Sequence, residues 1–160
     1  MKAAILISLL VFLSFQMADA QSQKQEFSVS ESGLEAPNYK TVQILIIGNG
    51  LDKIGLTEER IWTECELRLR QANLNPIPKA KLPLHYLGIS VAVADGAFAI
   101  QVEFTRPVTF MVDGKEYWTL GTTWIRNSAG THGRDPEFII QSLDGRLDYF
   151  LDEYLKANAK

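Results

Sequence analysis

His85–Arg106 reads HYLGISVAVADGAFAIQVEFTR, and this stretch decides the fold because two alternating apolar runs flank Asp95-Gly96. A two-residue Asp-Gly loop favours a type I′ turn, whose twist suits two paired antiparallel strands. Counting outward from that turn predicts that the large apolar residues of both runs share one face of a hairpin: Leu87, Ile89, Val91, Val93, Phe98, Ile100, Val102 and Phe104. A slip of one residue would turn this set to the opposite face, so the turn and the pattern predict the same register.

The residues before this hairpin predict a strand and a helix. Thr41–Gly48 is almost continuously apolar, which is typical of a buried strand. Thr57–Ala72 has an apolar stripe at helical spacing, with Thr57 as N-cap and two glutamates in the first turn. We therefore expect a strand followed by a helix that packs on the sheet.

The residues after the hairpin predict a further strand and a closing helix. Val108–Val112 and Tyr117–Arg126 flank a second tight-turn signal, Asp113-Gly114. Asp135-Pro136 then supplies an N-cap and a first-turn proline for a helix to about Asn158. The predicted fold class is α+β: a two-layer sandwich in the order β-α-β-β-β-α, with a mainly antiparallel sheet and two helices packed on one face.

The N-terminal residues predict an exported protein. Residues 1–20 have a lysine, an apolar run shorter than the roughly 20 residues that span a bilayer, and a closing Ala-Asp-Ala, as in a secretory signal peptide. Residues 21–40 are rich in Gln, Ser and Glu and predict a flexible leader. The remaining residues 41–158 form one predicted domain, and we expect a periplasmic or secreted location with no membrane span in the mature chain.

Composition narrows the classes of function. The net charge of −3 and the pI near 5.4, with scattered Lys and Arg, argue against nucleic acid as a partner. A single cysteine, Cys65, rules out an internal disulfide, so the core must stabilise the domain. Cys65 lies within the apolar stripe of the first helix, which predicts a buried and inert thiol.

Two motifs suggest a cofactor or a metal at first sight, and neither holds. Gly48-Asn49-Gly50 follows a strand, but Lys53 stands where a dinucleotide-binding loop needs its third glycine. Asp144, Asp148 and Asp152 form an acidic row one helical turn apart, which is usually a hydrated surface, and no other ligand type is spaced to complete a site. We therefore predict neither a cofactor nor a metal.

The face of the hairpin opposite the apolar row is the leading candidate for a binding surface. Tyr86, Ser90, Gln101 and Glu103 lie on it, and a two-residue turn at Asp113-Gly114 would add Trp124 and Arg126. An extra residue inserted at Pro107 or Gly121 would shift this second register. An aromatic ring, a guanidinium and a carboxylate together offer stacking, hydrogen bonding and charge pairing. The alternative is an ordinary half-solvated sheet surface.

Residues 127–134, NSAGTHGR, form a predicted polar loop and the second candidate site. Ser128, Thr131 and His132 in this loop suggest a nucleophile and a base, so a small hydrolase is the alternative function. The loop has no nucleophile-elbow motif and no evident acid to orient the histidine. Turn formation by its glycines is the simpler interpretation.

Two stretches and the closing amphipathic helix resemble a family of small exported bacterial proteins of unknown function. They read GLTEERIWTECELRLRQA at residues 55–72 and TTWIRNSAGTHG at residues 122–133. The resemblance covers about residues 41–158. It implies a location in the bacterial envelope and no activity, cofactor or catalytic residue.

We therefore expect a non-enzymatic module that binds an envelope protein or a small ligand through the open sheet face and the loop. The hydrolase that uses His132 with Ser128 or Thr131 is the alternative from another class. A third interpretation is purely structural, namely assembly into an oligomer through an exposed sheet edge.

Overall fold

The computed structural model describes residues 32–78 and 85–159 and contains two helices and a five-stranded mixed sheet. The predicted signal peptide, residues 1–20, lies outside the described residues. The strands are β1 (Thr41–Asn49), β2 (Asn75–Ile77), β3 (Tyr86–Ala94), β4 (Ala97–Val112) and β5 (Lys115–Thr131). The helices are α1 (Glu58–Gln71) and α2 (Pro136–Asn158), and a short 3₁₀ turn spans Leu51–Ile54. The architecture is α+β, as predicted.

The order of strands across the sheet is β2-β1-β3-β4-β5. β1 runs parallel to β2 and β3, whereas β3, β4 and β5 are antiparallel neighbours. The predicted order of elements lacked β2, a three-residue strand within the proline-rich connector after α1. β2 was missed because a strand of this length is specified by its pairing with β1 and not by a periodic pattern of its own.

The central hairpin has the predicted register. Ala94 pairs with Ala97, and the ladder continues outward to the pair of Leu87 with Phe104. All eight large apolar side chains of the predicted row are buried. Gly96 has a φ of +76°, which the tight turn requires and which glycine adopts without steric cost.

Both helices contribute to the same core as this row. The Thr57 hydroxyl accepts a hydrogen bond from Arg60 N–H at the start of α1, and the Asp135 carboxylate accepts one from Glu137 N–H at the start of α2. Nine residues of the two helices are fully or almost fully buried in the apolar core: Ile61, Cys65, Leu69, Ile139, Ile140, Leu143, Leu147, Phe150 and Tyr154.

The acidic row of α2 is paired with cations. Arg68 of α1 contacts Asp144 at 2.7 Å and Asp148 at 3.1 Å, and Lys156 contacts Asp152 at 2.6 Å. The hydrogen bond with Asp144 is the main cause that raises the pKa of Arg68. The aspartate row therefore joins α1 to α2 through Arg68, and Asp152 forms an i,i+4 ion pair with Lys156 near the end of α2.

Residues 32–40, which the sequence assigned to a flexible leader, are part of the folded domain. Leu34 is fully buried, and the Asn158 side-chain amide donates to its carbonyl oxygen at 3.0 Å. Ala36 N–H donates to Asn158 Oδ1 at 3.0 Å, and the Tyr154 hydroxyl donates to the Tyr39 carbonyl at 3.0 Å. The polar composition of this segment concealed it, because many of its contacts are made by backbone atoms and few by large apolar side chains.

The pairing of β4 with β5 differs from the predicted register by one residue. Thr105 pairs with Thr122 but Phe104 pairs with Trp124, so Thr123 is the extra residue of a β-bulge. The prediction placed Glu103 near Trp124, and Glu103 instead pairs with Ile125. A bulge of this kind reverses the face on which all later side chains of the strand lie.

β4 and β5 continue beyond the sheet as a two-stranded arm, residues 107–120. β3 begins at Tyr86, which pairs with Thr105, so further along β4 the only strand partner among the described residues is β5. The arm ends at the predicted Asp113-Gly114 turn. No helix in the part of the chain that the structure describes is long and apolar enough to cross a membrane.

Candidate functional site

A cleft of about 760 Å³ lies between β5, the last turns of α2 and the start of the described chain. It is larger than three other depressions on the described surface, of about 590, 580 and 470 Å³. Its lining combines an indole, charged side chains of both signs and two threonines: Ser32, Glu35, Thr122, Thr123, Trp124, Ile125, Arg126, Glu153, Lys156 and Ala157.

Trp124 forms the inner wall of this cleft. Its ring is 7% exposed and meets Phe150 of α2 edge to face, with 5.4 Å between the ring centroids. The indole N–H donates to the carboxylate of Glu153 at 2.5 Å. The ring therefore fixes β5 against α2, and its polar edge faces the cleft.

Arg126 lies at the mouth of the cleft between two aromatic rings. Its guanidinium carbon is 5.4 Å from the Trp124 centroid and 5.1 Å from the Tyr149 centroid. It donates to the Tyr149 hydroxyl at 3.4 Å, the main contact that raises the pKa of Arg126, and lies 3.8 Å from Glu153. The side chain is still 43% exposed. Arg126 is thus a positioned cation with part of its surface free for a ligand.

The far wall of the cleft comes from the end of α2. Glu153 follows Tyr149 by one helical turn, so both contact Arg126 from the same side of the helix. Lys156 is directed to the solvent side, where its hydrogen bond with Asp152 raises the pKa of Lys156. A ligand in the cleft would meet the Trp124 ring and Arg126 from β5, and Glu153 and Lys156 from α2.

The structure brings two of the predicted site residues together in this cleft, Trp124 and Arg126. Tyr86, Gln101 and Glu103 do not join them, because the β-bulge turns Trp124 and Arg126 to the face that packs against α2. The prediction that Trp124 and Arg126 share the open face with Tyr86, Ser90, Gln101 and Glu103 is wrong for this reason. On the opposite face of the sheet, the Gln101 side-chain amide donates a hydrogen bond to the Glu103 carboxylate on the same strand, at 3.1 Å.

A second, smaller depression of about 590 Å³ lies on the sheet near Gln101. Its lining is mostly small side chains, with Ile47 as a large exposed apolar residue at one end. It includes no cationic side chain and no aromatic ring. The cleft beside β5 therefore offers the more selective set of contacts.

The predicted loop 127–134 is mostly strand. Ser128 and Thr131 lie in β5, opposite Ile100 and Ala97, and only the residues after Thr131 turn toward α2. The loop prediction failed because Asn, Ser and Gly disfavour strands locally, whereas pairing with β4 compensates for that preference.

The hydrogen bonds of His132 give it a structural role. Arg134 N–H donates to its Nδ1 at 2.9 Å, so Nε2 carries the proton and donates to the Ala94 carbonyl at 3.0 Å. Neither ring nitrogen is available to the Ser128 hydroxyl, which has no hydrogen-bond partner among the described residues. This histidine ties the end of β5 to the central turn.

Glu153 and Lys156 are the site residues that the sequence reasoning missed. On the sequence they belong to the polar side of a long amphipathic helix, which is usually solvated. Their role depends on the placement of the last turns of α2 beside Arg126. No local pattern in the sequence carries that information.

The residues that the structure describes include no group of three or more His, Cys, Asp or Glu side chains that could hold a metal ion. No protein-family model matches the chain, and no curated protein matches it either. The interpretation of the cleft therefore depends on its chemistry.

Proposed function

We propose that the chain is an exported, non-enzymatic binding module of the bacterial envelope that takes an extended segment of a partner protein as an additional strand on β5. One observation carries the proposal. The outermost strand of the sheet runs beside the cleft, and that cleft holds a positioned arginine.

The edge of β5 supports strand addition. It is an outer strand of 17 residues, and from Tyr117 to Ile125 its sequence has neither a charge nor a proline. Most proteins protect such edges with lysines, prolines or a covering element, because unpaired N–H and C=O groups accept another strand. An extended peptide gains affinity from those backbone groups and specificity from side-chain pockets beside them.

The cleft supplies the side-chain pocket for such a segment. Gly33 packs against the Thr123 carbonyl oxygen, so an added strand would pair with β5 beyond that point, from Ile125 onward, and would place alternate side chains toward α2, between Arg126 and Lys156. A carboxylate there would meet two cations, and an apolar side chain would meet the edge of Trp124. We therefore expect a preference for segments with an acidic residue next to an apolar one.

The finer parts of the predicted architecture and location belong to this proposal. Two layers, with both helices on one face, are consistent with the alternation of buried residues along β3 and β4. The signal peptide and the resemblance to small exported bacterial proteins are the basis for the envelope location. The hydrolase alternative loses support because both nitrogens of His132 bond to the backbone.

A selection from random displayed peptides tests the proposal. Peptides of about ten residues are long enough to pair along the cleft at roughly 3.3 Å per residue. We expect selected peptides to bind the full chain, and we expect Arg126→Glu to weaken that binding at least tenfold in calorimetry because it reverses the charge at the mouth of the cleft. N-methylation of alternate peptide amides should abolish binding, because strand addition needs them.

Arg70→Glu is the matched control. Arg70 is also an exposed arginine paired with a glutamate, but it lies on α1, away from the cleft. A synthetic peptide of residues 21–31 is added as a competitor in the same assay. Competition by this peptide would mean that the chain's own leader occupies the site. Equal binding by the Arg126 variant and the wild type, or no selected peptide, would overturn the proposal.

A further inference from the structure

The arm, residues 107–120, exposes large apolar side chains on both of its faces. Phe110, Val112 and Tyr117 lie on one face, and Met111, Trp118 and Leu120 lie on the other. Phe110 and Tyr117 stack on each other with 5.8 Å between centroids, yet both remain nearly half exposed. A two-stranded ribbon is marginally stable in water, so this arm gains stability from a partner.

We infer that the partner is a second copy of this chain. The two copies pair edge to edge along the arm portion of β5, with their strands antiparallel and a twofold axis at Thr119. This inference rests on the proposed capacity of the β5 edge to accept a strand. The strand that it accepts here is β5 of the second copy. The contact is isologous: the same edge serves both copies, as in most homodimers.

The hydrogen-bond pattern of the arm permits this pairing. Val112 and Lys115 flank the two-residue turn at Asp113-Gly114 and pair with each other. From such a pair the bonding direction alternates along the strand, so Glu116, Trp118 and Leu120 direct their N–H and C=O groups to the outer edge. With the twofold axis at Thr119, each residue whose N–H and C=O groups face the outer edge lies opposite a partner residue whose groups also face that edge.

The side chains are self-complementary in the same register. Trp118 lies opposite the partner's Leu120, and Tyr117 lies opposite the partner's Gly121, where an aromatic ring covers the exposed glycine backbone. Glu116 lies opposite Thr122, so no like charges meet. The paired stretch ends at Thr122, because Gly33 packs against the Thr123 carbonyl oxygen and occupies the edge beyond it.

The β5 side chains supply the apolar part of the contact. Tyr117, Trp118 and Leu120 are 42–72% exposed, and the partner's strand would lie directly beside them, so each would cover the flank of a neighbour. Phe110, Met111 and Val112 lie on β4, on the side of β5 away from the partner. The interface is therefore a small one, below about 1,200 Å² in total, and depends mainly on backbone pairing.

The charge of the arm argues against a lipid surface as the occupant. Its tip carries Asp113, Lys115 and Glu116, and the whole chain has a net charge of −3. Apolar hairpins that bind anionic membranes need several surrounding Lys and Arg, whereas the arm has one cation, Lys115, between two acidic residues. A second copy has no such requirement.

Light scattering of the full chain from about 1 µM to about 100 µM, a range suited to a small interface, tests the inference. We expect the mass to rise to that of a dimer, and we expect Trp118→Glu and Leu120→Glu each to keep the chain monomeric. Leu67→Glu is the control, since Leu67 of α1 is exposed to a similar degree and lies outside the arm. A circular dichroism melt establishes that each variant is folded.

Thr119→Cys tests the register. In a pair that exchanges no hydrogen bonds the Cα atoms are about 4.5 Å apart, which allows a disulfide, so copper-phenanthroline oxidation should link two copies. Glu116→Cys should stay unlinked, and the buried Cys65 should not react. A monomeric wild type, or a dimer that both arm variants leave intact, overturns the inference; efficient linking at Glu116 but not at Thr119 also overturns it. A monomer that still binds selected peptides leaves the proposed function standing.

Discussion

Phe104 of β4 lies directly opposite Trp124 of β5, although the turn at Asp113-Gly114 by itself would place Glu103 there. The extra residue, Thr123, causes this change of phase. On the turn side of the bulge, Trp118 is 72% exposed, whereas on the core side Trp124 is 7% exposed. One inserted residue thus gives two tryptophans of the same strand opposite environments.

We predict that Trp124→Ala and Trp118→Ala differ sharply in their effect on stability. The first substitution leaves a cavity against Phe150 and removes the indole hydrogen bond to Glu153, and should lower the free energy of unfolding by about 3–5 kcal/mol. The second removes a solvent-exposed ring and should change it by less than about 0.5 kcal/mol in dilute chain. Urea denaturation measures both, and equal effects would contradict the observed bulge.

We predict that Gly33→Ala destabilises the domain more than Gly96→Ala. Both glycines have a φ near +70°, where alanine costs about 1–2 kcal/mol. At Gly33 an added Cβ would also lie 2.4 Å from the Thr123 carbonyl oxygen, whereas at Gly96 it meets no atom within 4 Å. The difference between the two unfolding free energies reports the packing of residues 32–40 on β5. If Gly33→Ala costs no more than its control, those residues do not contribute to the fold.

We predict a loss of stability at alkaline pH that depends on Cys65. Burial raises the pKa of this thiol from 9.0 to about 12. Because the folded state has the higher pKa, the stabilising effect is complete below pH 9 and is lost as the pH rises toward 12. The stability difference between wild type and Cys65→Ala should therefore shrink over this range. A constant difference from pH 8 to pH 11 would show that the thiol is accessible in the folded chain.

Local patterns predicted the hairpin and both helices well. Asp95-Gly96 supplies the turn, the alternation on each side supplies the faces, and the N-caps Thr57 and Asp135 begin the two helices. Each of these features is set by interactions over a few residues, and such interactions are visible in a sequence. In each N-cap, the accepting side-chain oxygen and the donating backbone N–H belong to residues no more than three positions apart.

The cleft could not be predicted in the same way. Arg126 and Tyr149 belong to different elements, and Glu153 contacts both the arginine and the indole of Trp124. The sequence predicted Trp124 and Arg126 as binding residues but placed them on the wrong face of the sheet. The bulge at Thr123 has no sequence signal of its own, because threonine is an ordinary strand residue.

The sequence by itself determined the α+β class, the register of the central hairpin and the burial of its apolar row, because turn chemistry and alternation act over neighbouring residues. Only the tertiary structure decided which face Trp124 and Arg126 occupy, how residues 32–40 join the core, and that β4 and β5 extend as an exposed arm. Those outcomes depend on contacts between distant segments, in which a shift of one residue in pairing outweighs the local preference of any side chain.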